Sequence, residues 1–153
     1  MRSLHLITVG KLSDKNYAAL ENNYLKQLRC PPLSIHELKS QEEKLDLEAE
    51  VVLKKVLSLE KKSSAHVVLL TERGKQNSSP NFASWFEKLI HNGNGPLILI
   101  IGGASGHGQK VYDRANEEIS LSKLTFPHKM ARLVIIEQLY RAQTILAGHP
   151  YHK

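Results

Sequence analysis

The sequence predicts an α/β fold: a parallel sheet with helices over both faces. Segments of strand character alternate along the chain with segments of helical period. Two strand segments, Val67-Val68-Leu69-Leu70 and Leu97-Ile98-Leu99-Ile100-Ile101, are apolar without a break, as strands buried on both faces are. No internal repeat, low-complexity tract or linker divides the pattern.

Leu4 to Val9 alternates and stops at Gly10, which predicts a first strand. Tyr17, Leu20, Tyr24 and Leu28 recur at helical spacing, which predicts a helix over 15–28 stopped by Pro31-Pro32. Leu33 to Leu38 reads as a short second strand. Gln41 to Leu59 reads as an amphipathic helix with Leu45, Ala49, Val52, Val56 and Leu59 on one face. Ala65 to Leu70 is the third strand, and Glu72 to Ser79 is expected to be loop. Ser79 followed by Pro80 predicts a capped helix start, with the helix running to Ile90. Pro96 to Ile101 is the fourth strand. Lys110 to Glu118 predicts a short helix, and Ile119 to Phe126 alternates and is open to strand or loop. Pro127 opens a long helix, to about Ala147, closed by Gly148 and Pro150.

That last helix is apolar over more than one stripe: Met130, Leu133, Val134, Ile135, Ile136, Leu139, Tyr140, Ile145 and Leu146. A helix covering only its own sheet needs about 100° of apolar face. The surplus fits either a helix buried centrally in the monomer or, the favoured reading, packing against a second subunit.

The 153 residues suit one domain, 1–153, with 41% hydrophobic and 24% charged residues, the balance of an ordered globular chain. No run approaches the roughly 20 apolar residues of a membrane span, and the N-terminus reads as a strand and not as a signal peptide. A single cysteine, Cys30, excludes an intramolecular disulfide and a cysteine-based zinc site; the expected compartment is the cytoplasm. The formal charge is +6, and from Lys123 onward five cations face one acid, Glu137. Such a balance favours a polyanion, RNA or DNA, as partner; the plain alternative is a soluble basic protein.

The stretch LILIIGGASGHG, residues 97–108, joins a buried strand to a glycine cluster. No register satisfies G-x-G-x-x-G: the third position from Gly102 is Ala104, and the sixth from Gly106 is Val111. Gly103 and Gly108 have the P-loop separation, but Gln109-Lys110 follow where Lys-Ser or Lys-Thr is required. Both phosphate readings fail. Glycines at a strand's C-terminal end still let a flat ligand approach the main chain, where open α/β sheets bind ligands. The end of AHVVLL and the segment LSKLTF are expected beside it, forming three edges of an adenosine-sized pocket.

Ile101-Gly102-Gly103 with Gly106, then Leu121-Ser122-Lys123-Leu124-Thr125-Phe126-Pro127-His128, then Glu137-Gln138-Leu139-Tyr140-Arg141-Ala142, then Pro150-Tyr151-His152-Lys153 resemble the ribosomal RNA large-subunit methyltransferase H family of the SPOUT class. Order, spacing and length agree over essentially the whole chain. The resemblance implies a homodimer with a trefoil knot near the C-terminus, which periodicity does not reveal and general topology rules disfavour. It implies S-adenosylmethionine as methyl donor and N3-methylation of a pseudouridine in helix 69 of 23S rRNA within the assembled ribosome, with no metal. Carried over by motif, donor contacts fall to Leu70, Gly102, Leu121, Ser122, Lys123, Leu124, Thr125 and Phe126. His107 departs from the family's usual apolar residue and is left outside the site.

Methyl transfer to N3 requires alignment, water exclusion and removal of a ring proton. The candidate catalytic residues are His128, Glu137, Arg141, Tyr151 and His152. Each has a plainer alternative: Glu137 and Arg141 at i,i+4 pair along a helix, His128 caps it, and the tail frays. His149 and His152 have no other ligand cluster to make a metal site. Tyr151-His152-Lys153 is read as a flap over donor and RNA. A Rossmann-type enzyme with a nicotinamide or flavin cofactor and a non-catalytic ribosome-binding factor are the rival classes.

Overall fold

The computed structural model describes residues 1–42 and 44–153. Its elements, in chain order, are β1 (Leu4–Val9), α1 (Lys15–Leu25), β2 (Leu33–Leu38), α2 (Leu45–Leu59), β3 (His66–Gln76), α3 (Ser79–His91), β4 (Leu97–Ile101), α4 (Gln109–Arg114), β5 (Glu117–Ser120) and α5 (His128–Leu146). The five strands form one sheet in the order β2-β1-β4-β3-β5, every pairing parallel. The expected α/β class is the observed one.

Alternation along the strands sorts the core into two layers. Leu4 and Leu6 of β1, Val68 of β3 and Leu97, Leu99 and Ile101 of β4 face α1, α3 and α5. Ile7, Val67, Leu69, Ile98 and Ile100 face α2 and α4. Leu97 to Ile100 are all fully buried, which is why β4 reads as one apolar run with no polar face.

Several boundaries differ from the expectation, each for a local reason. α1 ends at Leu25, because the amides of Gln27 and Leu28 both turn back to the Tyr24 carbonyl; Leu28 stays buried. Asp14 caps its start, accepting from the amides of Asn16 and Tyr17. α2 begins at Leu45; Glu42 has a φ of +51°, outside helical space. Of the residues expected ahead of Leu45, Glu43 lies outside the described set. Ser78, not Ser79, caps α3, its Oγ accepting from Asn81 N at 3.3 Å. β3 continues through the expected loop to Gln76, because β5 supplies it with a second partner. The expected helix Lys110–Glu118 stops at Arg114, and Glu117–Ser120 is strand; residues 121–126 then leave the sheet as loop.

Side-chain bonds fix β5 in place. Glu117 accepts from Trp85 Nε1 at 3.0 Å and meets His66 Nε2 at 2.7 Å, and Asn116 Oδ1 takes the Val67 amide at 2.7 Å. At the other edge Arg132 of α5 bridges the buried carboxylate of Glu21 at 3.0 Å and Glu37 of β2 at 2.7 Å. Burial raises the Glu21 pKa, and the Arg132 charge opposes that rise. α5 buries Ile135, Ile136, Leu139, Tyr140 and Ala142 in its own chain but leaves Met130 and Leu146 exposed. Cys30 is exposed, just before β2. No helix among the described residues is long and apolar enough to cross a membrane.

His5 of β1 and His36 of β2 lie side by side, Nδ1 to Nε2 at 3.0 Å. Burial lowers both pKa values from 6.5, with Lys55 adding to both and His36 to that of His5. A histidine whose folded pKa is depressed binds protons more readily unfolded, so its contribution to stability is lost as pH falls below 6.5. Urea unfolding at about pH 7.5 and about pH 5.5 is expected to show a drop in midpoint on acidification. His36→Asn should shrink that drop; an unchanged drop would exclude the pair as its source.

Candidate functional site

A cavity of about 440 Å³ opens at the C-terminal ends of β3 and β4, closed on its third side by residues 121–126. β4 runs into Gly102 and Gly103, both buried. The chain then reverses in a tight turn: Gly106 N donates to Gly103 O at 3.0 Å, with Gly106 at a φ of +84°. Glycine is required at 102, where a Cβ would stand 2.5 Å from the Gly106 carbonyl oxygen. At 103 a Cβ would press on the buried, unpartnered Oε1 of Glu48, also at 2.5 Å.

The third wall is stitched by serines. Ser120 Oγ donates within 3.1 Å of the Glu72 carbonyl and 2.8 Å of the Ser122 carbonyl, and Ser122 Oγ accepts from Leu124 N at 3.0 Å. Leu70, Gly102, Leu121, Ser122, Leu124, Thr125 and Phe126 therefore surround one space, with His128 at its rim. Lys123 is exposed and is not among the lining residues.

His107, left outside the site on sequence grounds, stands in this wall. Its Nε2 meets the Leu70 carbonyl at 3.1 Å, and its ring packs edge-on against Tyr112 at 5.6 Å. The carbonyl can only accept, so Nε2 carries the proton. Burial lowers the His107 pKa, against the opposing pull of that bond and of Glu118. The imidazole is thus a neutral strut joining the glycine loop to β3. Thr71, Arg73 and Tyr112 also line the cavity and were not expected. Thr71 is the first β3 residue past the expected strand, Arg73 comes from the stretch read as loop, and Tyr112 comes from α4. A polar residue within a glycine loop was the one available signal for His107.

The remaining four catalytic candidates form a separate cluster. Glu137 Oε1 accepts from Arg141 Nε at 2.9 Å, from Arg141 Nη2 at 2.6 Å and from the Tyr151 hydroxyl at 3.0 Å. Arg141 lies 4.6 Å over the Tyr151 ring, and its Nη1 donates to His152 Nδ1 at 3.1 Å. The guanidinium can only donate, so Nδ1 is the accepting nitrogen of His152 in this contact. Burial, with bonds to Tyr24 and Glu137, pushes the Tyr151 pKa far above its ordinary value. The phenol is a donor here and a poor base. The tail is packed against α5, with Tyr151 also meeting Tyr140 at 4.8 Å. None of the four lines the cavity.

His128 begins α5, whose cap residue is Pro127 and which carries no side-chain cap bond, so the capping alternative for His128 is not realised. Among the described residues no group of three or more His, Cys, Asp or Glu side chains converges as a metal site.

Residues 2–152 match the family model described as predicted SPOUT methyltransferase. Ribosomal RNA large subunit methyltransferase H of Phocaeicola vulgatus is 41% identical over 156 aligned residues, covering 96% of either chain. The protein of the same name in Bacillus pumilus is 37% identical over 163, covering 99% of either. Among solved structures, a probable methylase family protein from Haemophilus influenzae superposes with a TM-score of 0.57 at 11% identity, over 99% of this chain and 71% of that one. That likeness is one of fold. With an all-parallel sheet ending in a glycine-walled cavity, and with relatives matching over nearly their full length, the chain belongs to the SPOUT methyltransferases, among the ribosomal RNA large-subunit methyltransferase H proteins.

Proposed function

We propose that the chain is an S-adenosylmethionine-dependent methyltransferase acting on N3 of a pseudouridine in helix 69 of 23S rRNA, on the assembled ribosome, as a cytoplasmic homodimer with a C-terminal trefoil knot. The observation that carries this reading is the cavity at the ends of β3 and β4. It has the size for an adenosine, walls that mix glycines and apolar residues with a few polar ones such as Thr71 and Ser122, and neither phosphate fingerprint in its glycine loop. The names of the curated relatives support large-subunit rRNA as the acceptor.

Bound there, the donor supplies a methyl group on a sulfonium. The chain's part is to align, to exclude water and to manage one proton. Leu70, Gly102 and five residues of the 121–126 loop, Lys123 excepted, line the space, with Leu121, Leu124 and Phe126 the apolar ones of that loop. His107 holds the Leu70 carbonyl in position. As a neutral group it adds no charge beside a cationic donor. His128, at the rim, is placed to reach the acceptor side. Arg141, kept charged by Glu137, is suited to stabilising a ring anion formed at N3. One chain keeps Glu137, Arg141, Tyr151 and His152 off its own cavity. The exposed Met130 and Leu146 of α5, beside half-buried Leu133 and Val134, favour a second copy on that helix, which brings a tail to a cavity.

Ribosomes lacking the mark, incubated with the chain and S-adenosylmethionine, are expected to gain one methyl group at helix 69 by mass spectrometry of 23S rRNA. No gain there, or tight binding of a nicotinamide or flavin cofactor in place of S-adenosylmethionine, would sink the reading. Deleting Tyr151 to Lys153 is expected to abolish methylation while light scattering still gives a dimer; full activity of the shortened chain would exclude the flap. His107→Leu should weaken donor binding in calorimetry by about three- to tenfold, the worth of one neutral hydrogen bond. His107→Gln, which keeps a donor, should recover most of it.

A further inference from the structure

A second cavity, of about 460 Å³, lies between the C-terminal ends of β1 and β4 and the first turn of α5. Topology makes the crevice. β1 passes to α1 on one face of the sheet and β4 passes to α4 on the other, so the two chain exits part. Open parallel sheets bind ligands at such a reversal. Ile101 and His128 line both this cavity and the donor cavity, so the two adjoin.

Its lining is one-signed. Among the described residues Lys11, Lys129 and Arg132 border it and no carboxylate does; Glu37 stands behind Leu12, accepting from its amide at 2.6 Å. Arg132 is engaged by Glu21 and Glu37, and Lys129 stands 3.9 Å from Asp14, a loose exposed pairing. Lys11 is exposed. The 19-residue helix α5 turns its N-terminus here without a side-chain cap; the amides of Met130 and Ala131 bond to the Pro127 carbonyl, and those of His128 and Lys129 precede any intrahelical acceptor. Independently, Thr8 lines the cavity at 4% exposure, and its hydroxyl has no hydrogen-bond partner among the described residues. A buried hydroxyl left unpaired in a cavity wall is costly unless a ligand completes it.

We propose that this second cavity seats the acceptor nucleotide. Its base lies against Val9, Leu12 and Ile101, and its phosphate lies on Lys11, Lys129 and the N-terminus of α5. A uracil-type edge carries both carbonyl and N–H groups and so matches the hydroxyl of Thr8. An anion is what the helix end and the two lysines select. The placement rests on the methyl-transfer reading and sets acceptor and donor in adjoining cavities that share Ile101 and His128 in their walls.

The full-length chain and its Lys11→Ala, Lys129→Ala and Thr8→Val variants test this. The measurements are S-adenosylmethionine binding by calorimetry, thermal unfolding, and binding of a pseudouridine-containing large-subunit rRNA stem-loop across a salt series. Donor affinity is expected to stay within about twofold of wild type throughout, since none of the three lines the donor cavity. Each lysine variant should weaken RNA binding about five- to tenfold and lower the slope of log K against log salt by about 1. Thr8→Val should unfold no earlier than wild type, because it removes an unpaired buried hydroxyl, yet bind RNA about fivefold more weakly. Lysine variants with wild-type affinity and salt slope overturn the proposal, as does a Thr8→Val variant that binds RNA like wild type. A wild-type chain that binds RNA through these residues but transfers no methyl leaves the seat standing and removes the methyl-transfer reading instead.

Discussion

The functional end of the molecule depends on how closely β5 runs beside β3. Ile119 pairs with Leu70 and again with Lys75, so the four residues of β3 between them arch over one position of its neighbour. At the return point Gly74 is pressed against Ile119, where a Cβ would stand 2.5 Å from a backbone carbon. Any side chain there must push the strands apart. That single approach fixes where Leu70 and Thr71 end, where Ser120 turns, and hence where residues 121–126 come to lie. The cavity at the ends of β3 and β4 is the space left over by this arch.

Much of the fold was legible because burial writes itself into composition. β4 is apolar at every position because it has strands on both sides and helix layers on both faces. Helical period located α2, α3 and α5 to within a few residues for the same reason. What stayed hidden was decided by partners distant in sequence. Glu72 to Gln76 carries loop-like residues, and it is strand only because Glu117–Ser120 lies beside it. Pairing across more than forty residues leaves no local trace, and tertiary context overrides local propensity.

The site divides in the same way. Its glycine loop, its Leu70 edge and its 121–126 edge each announced themselves by pattern, and the chain brings them around one space. His107 was legible only as an oddity. Its role comes from a carbonyl 37 positions earlier, which no motif records. Glu137 and Arg141 could be paired by helical spacing, but the addition of Tyr151 and His152 depends on the tail folding back onto α5. Residue types pointed to chemistry, while distance decided which chemistry each could take part in.

The lone thiol has a use of its own. Cys30 is exposed and precedes β2, at the N-terminal edge of a parallel sheet whose two described cavities lie at the opposite end. Six residues of strand separate the two edges, about 20 Å. A fluorophore or spin label attached there would be unique on each chain and clear of both cavities. It turns the sheet itself into a ruler, from which copies of the chain and bound RNA can be ranged in solution without altering a single native residue.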